Sequence, residues 1–125
     1  MKPNVLLVVT SLLSILLLSI HIAQDIVLGF AGGGLVNLIA MAVLVVYLCG
    51  ALLGSDHRWG LTILLAGSLL AAAMPVFHMM GAGVGVRRTA GAYFFVWTLY
   101  ALGMSGMFGF ILSVRGLWSA RAARA

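Results

Sequence analysis

The chain has 125 residues, 64% of them hydrophobic and 7% charged, where an ordinary soluble domain carries roughly 45–50% apolar and about 25% charged residues. That composition excludes a soluble globule. With no glutamate, one cysteine, and aspartates only at positions 25 and 56, it also excludes an intrachain disulfide and leaves no neighbouring carboxylates for glycosidase-type chemistry. The net charge of +5 would suggest nucleic acid in a soluble protein, but here the basic residues fall at span boundaries and in the tails. The expected partner is the lipid bilayer, not nucleic acid.

Uncharged stretches run from Pro3 to Gln24, Ile26 to Ser55, Trp59 to Val86 and Thr89 to Val114. Each can supply the about 20 apolar residues that cross a bilayer. The predicted helices cover residues 4–28, 35–54, 59–80 and 89–115, followed by a basic tail at 116–125, all within one domain of residues 1–125. The first is read as a retained span, because the apolar run Val5–Ile20 is long for a signal peptide and no clean cleavage site follows. Short glycine-rich links, Gly32-Gly33-Gly34 and Gly81 to Gly85, make consecutive helices antiparallel neighbours. The expected fold is all-α: a polytopic integral membrane protein with an antiparallel four-transmembrane-helix bundle.

Along the first segment, Thr10, Ser14, His21 and Asp25 fall within an arc of about 60° on a helical wheel, forming a polar stripe. His21 and Asp25 stand at i and i+4, so the carboxylate can meet and orient the imidazole. The second segment opens near Asn37 and carries Cys49, Gly50 and Gly54. The lone cysteine reads as a packing residue, and His57, in the polar link Ser55 to Trp59, as solvated. In the third segment Gly60, Gly67 and Ala71 share a face with His78, and Pro75 predicts a kink there. The fourth places Ala101, Ser105, Gly109 and Ser113, joined by Thr98, on one face, the small-residue spacing of close helix packing in lipid. Tyr93, Trp97, Tyr100, Met104, Met107 and Ile111 form a separate bulky face.

Lys2, Arg58, Arg115, Arg121 and Arg124 fall on one predicted side, against Arg87 and Arg88 on the other. The positive-inside rule therefore puts both termini in the cytoplasm, in the cell (inner) membrane. Heights of about 25 Å and 28 Å along their helices place His21 and His78 in the opposite leaflet. Gln24, Asp25, Asn37, His78, Arg87 and Arg88 gather there around one mouth.

Several readings of this mouth follow. His21 and His78 could ligate zinc or copper with Asp25, Met79 and Met80 favouring Cu(I) if they face inward. They could be the axial pair of a b-type haem walled by Tyr93 and Trp97. They could belong to a proton or ion pathway. In the purely structural alternative, Asp25 pairs with Arg87 or Arg88. No catalytic motif is recognisable: Gly103-Met104-Ser105-Gly106 lacks the GxSxG spacing, and the third link lacks the glycine of GxGxxG at Val86. Small multidrug exporters have this length and helix count but use a glutamate in the first span, and this chain has none. The leading expectation is a structural, assembly or accessory subunit, as a homo-oligomer or within a larger membrane complex. Metal or haem binding through His21, His78 and Asp25 is the alternative, and an oligomeric channel or small carrier the third.

Overall fold

A computed structural model describes residues 3–30, 34–80 and 90–122. It contains four helices, α1 (Pro3–Leu28), α2 (Leu35–Leu53), α3 (Arg58–Met80) and α4 (Ala90–Ala122). All four are long and apolar enough to cross a membrane. The expected boundaries hold within a residue or so, except at the end of α4. That helix continues seven residues past the expected 115, through Arg121 and Ala122, so the start of the basic tail is helical. Arg58 helps to hold it, its guanidinium donating to the Ala120 carbonyl at 3.0 Å. Lys2, Arg87, Arg88, Arg124, Gly32, Gly33 and Gly81 to Gly85, to which the sequence assigned roles, lie outside the described residues.

The buried face of α1 is Leu7, Thr10, Ser11, Ser14, Leu18 and His21, the three- and four-residue spacing of one helical face. Leu13, Leu16, Ile26 and Val27 point outward, giving the helix an apolar outer surface compatible with a membrane span. The polarity of the buried face is only partly met inside: the Ser14 hydroxyl lies 3.1 Å from the Thr10 carbonyl oxygen and 3.0 Å from Ser105 Oγ on α4, whereas Ser11 Oγ, equally buried, has no hydrogen-bond partner among the described residues.

Helices approach closely where side chains are smallest. A Cβ added to Gly106 would lie 2.8 Å from the Ala71 backbone carbon, and one on Gly109 would lie 2.7 Å from Ser68 Oγ and 3.6 Å from Thr10. Gly67 makes room for the ring of Tyr47, whose hydroxyl is 3.1 Å from Ser68 Oγ. Gly60 lies directly against the Gly54 backbone at the tight turn into α3. The expected packing residues Gly67, Ala71, Ser105 and Gly109 thus fall on buried positions, while Ala101 is partly buried. α3 stays a single helix through Pro75. The ring is accommodated by Gly103, where a Cβ would come within 2.6 Å of Pro75 Cγ.

Two apolar clusters occupy different levels of the interior. Leu18, Ala71 and Leu102 form one, and Leu7, Tyr47, Ala51, Leu61 and Leu64 the other. The expected bulky face of α4, Tyr93 to Ile111, is exposed throughout. So is Cys49, which therefore does not pack inside the bundle. Gly106→Val should overpack the α3–α4 contact and cost about 1–3 kcal/mol, whereas Gly91→Ala, with nothing near its Cβ, should cost nothing. Unfolding by SDS titration in mixed micelles measures both.

Candidate metal centre

Three of the four helices meet at the Asp25 end of the assembly. α1 supplies His21 and Asp25 one turn apart, α3 supplies His78 in its last turn, and α4 supplies Phe95. His21 Nε2 lies 3.5 Å from Asp25 Oδ2, and His78 Nε2 lies 3.6 Å from Asp25 Oδ1. The two imidazoles meet edge to face, with centroids 4.6 Å apart and planes at 76°. Phe95 backs both rings, 5.2 Å from His21 and 5.5 Å from His78, and Phe30 packs behind it at 5.7 Å. Sequence reasoning missed Phe95; the only available signal was its place on the Thr98–Leu102 face of α4.

His21 is 1% exposed, and neither of its ring nitrogens has a hydrogen-bond partner among the described residues. Asp25 Oδ1 is likewise buried and without one. An unpaired buried polar group costs about 1–3 kcal/mol, so an imidazole held this way needs a reason. Separations of 3.5 and 3.6 Å are too long for a charge-assisted hydrogen bond, which closes to about 2.7–2.9 Å. They run to different oxygens of Asp25, and each is close to the roughly 3.4 Å that separates ligands about 2.1 Å from a tetrahedral ion. One ligand atom from each of His21, Asp25 and His78 lies within 4.8 Å of the other two.

The environment of His78 orients its ring. Nδ1 is 3.0 Å from the Met74 carbonyl, which can only accept, so Nδ1 carries the hydrogen. In the neutral ring Nε2 then presents a lone pair toward Asp25. A carbonyl or carboxylate holding the second imidazole nitrogen is the usual support for a metal-ligating histidine.

Several expected features fall elsewhere. Met79 and Met80 are exposed, so neither thioether turns inward as the Cu(I) reading requires. The haem reading does not fit either. Two axial imidazoles stand on opposite sides of an iron, with nitrogens about 2.0 Å from it and centroids roughly 6 Å apart; here the rings touch edge to face. The expected haem walls Tyr93 and Trp97 are both exposed, because they lie on the outer side of the helix that turns Phe95 inward. Gln24 ties the helices together through its Oε1, which accepts from the Thr98 hydroxyl at 2.7 Å. Asn37 is partly buried. The alternative pairing of Asp25 with Arg87 or Arg88 lies outside the described residues. His57, far along the chain in the link before α3, stacks on Trp59 at 6.2 Å.

Below the centre, Leu18, Ala71 and Leu102 pack together. Each lies between a residue of the outer polar level (His21, His78, Thr98) and one of the hydroxyl level (Ser14, Ser68, Ser105) on its own helix. The polar groups therefore form two levels separated by an apolar layer.

Comparison of the chain with protein-family models, with curated proteins and with solved structures finds no match. The reading of the centre accordingly rests on its own geometry. Replacing His21 by phenylalanine removes two unpartnered buried nitrogens while keeping a ring against Phe95. In metal-free micelles His21→Phe should leave stability unchanged or raise it by about 1–3 kcal/mol. A clear loss in SDS titration would show that the imidazole has a structural partner.

Proposed function

We propose that this chain is a multi-pass membrane protein whose working centre binds a divalent transition metal, of the zinc or cobalt kind, through His21, Asp25 and His78. The carrying observation is the buried His21 ring, with both nitrogens unpartnered, beside a carboxylate and a second imidazole at ligand spacing. A bundle held only by helix packing gains nothing from such a ring, since a leucine or phenylalanine fills the same space without desolvating two nitrogens. That favours the metal-binding reading over a purely structural or accessory subunit. The apolar layer of Leu18, Ala71 and Leu102 favours a binding centre over a conduit through one copy.

The helices are antiparallel neighbours in this reading, supported by the pairing of Gln24 with Thr98 and of Ser14 with Ser105: as numbers fall along α1, their partners rise along α4. The excess of basic residues at the termini and at Arg58 supports cytoplasmic ends in the inner membrane, and so an extracytoplasmic metal centre. Reporter fusions to the two termini should both give cytoplasmic signals; a split result overturns the orientation.

Purified protein in mild detergent should bind one Zn²⁺ or Co²⁺ per chain. His21→Ala and His78→Ala should each weaken binding roughly 100-fold or more, given that even outer-shell changes cost about 10–100-fold. His57→Ala should bind as the unaltered chain does. Isothermal titration reads all three, and retained affinity in both the His21 and His78 variants overturns the proposal.

A further inference from the structure

We infer that the metal centre takes a small monoanion from outside the protein as its fourth ligand. This inference rests on the metal-binding reading above. The first argument is a count of donors. The chain has three histidines, two aspartates, one cysteine and no glutamate, so three of its six strong donors are already at the site. The other three are remote. Asp56 accepts from Asn4 at the opposite end of α1, 21 residues or about 30 Å along the helix from Asp25. His57 adjoins it and stacks on Trp59, and Cys49 is exposed near the end of α2. Gln24 is engaged by Thr98, Met74 packs against the Leu18–Ala71–Leu102 cluster, and Met79 and Met80 face outward. With Asp25 ligating through a single oxygen, three protein ligands on a zinc-type ion are the pattern of a centre that exchanges a fourth, in contrast to closed structural sites with four.

The second argument is charge. A divalent ion held by one carboxylate and two neutral imidazoles keeps one net positive charge, which is costly in surroundings of Phe95, Phe30 and Leu18. A monoanion brings the centre to neutrality, whereas a neutral fourth ligand leaves the charge in place. The third is access. His21 is sealed, but the side chains of Asp25 and His78 are 19% and 21% exposed. Asp25 Oδ1 is itself buried, so the exposed parts of the Asp25 and His78 side chains mark the side from which a small ligand would approach.

The test is an azide titration of the full chain, loaded with one equivalent of Co²⁺ in detergent and chloride-free buffer and followed by visible absorption. The expected result is a saturable shift of the cobalt d–d bands at one azide per cobalt, with a new azide-to-cobalt charge-transfer band. Cobalt bands that appear but do not respond to azide overturn this inference while leaving the metal-binding reading standing. Bands that shift as readily with neutral imidazole at the same concentration overturn the selection by charge. If no d–d bands form on loading, the metal-binding reading fails and this inference with it. His57→Ala should behave as the unaltered chain throughout.

Discussion

The close approach of α3 to α4 is the contact from which the rest of the arrangement follows. It is made possible by Gly103, Gly106 and Gly109, which sit against Pro75, Ala71 and Ser68 where a methyl group would collide. In the multi-pass membrane reading, bringing two apolar helices together in lipid gives no hydrophobic gain, so association depends on dispersion contacts at short range and on internal hydrogen bonds. Backbone proximity at Gly106 and Gly109 lets Ser68 and Ser105 reach the interior, where they meet Tyr47 and Ser14. The same proximity sets the end of α3 beside α1, bringing His78 to Asp25 and its ring against that of His21.

The interior alternates polar and apolar levels. Hydroxyls bonded to one another and to helix carbonyls occupy the middle, apolar layers lie to either side, and the imidazoles and Asp25 occupy one end. Hydroxyls can be satisfied locally, by the carbonyl of a residue three or four positions back, as Ser14 and Ser105 show. The Ser11 and Ser113 hydroxyls are, like the His21 nitrogens, without a hydrogen-bond partner among the described residues; what sets His21 apart is the carboxylate and the second imidazole beside it. Phe95 sharpens the distinction by giving both rings an apolar wall, which strengthens any electrostatic interaction made there.

Much of this was legible from periodicity. The stripe of Thr10, Ser14 and His21 is buried as its 100° spacing implied, and so is the row of Thr98, Ser105, Gly109 and Ser113 on α4. Ser11, one position off the predicted stripe, is equally buried, since α1 packs against more than one helix and the covered arc is wider than a single contact line. Tyr93, Trp97, Met79 and Met80 were harder to place. Aromatic and thioether side chains suit lipid and interior equally, so their chemistry did not say which way they face; the rotation of each helix about its axis did. Phe95 was passed over for the same reason.

The sequence by itself determined four apolar helices, their boundaries to within a few residues except at the end of α4, and the scarcity of strong donors. These depend on local quantities: uninterrupted apolar length, the cost of charge in hydrocarbon, and the helical repeat. Only the tertiary structure decided that His21 and His78 meet edge to face with Asp25 between their Nε2 atoms, that no haem fits between the rings, and that Phe95 forms the wall. Those facts depend on the rotation and offset of α3 and α4 relative to α1, which follow from where glycines allow backbones to touch. A one-dimensional pattern identifies the candidate contact faces but not which faces meet.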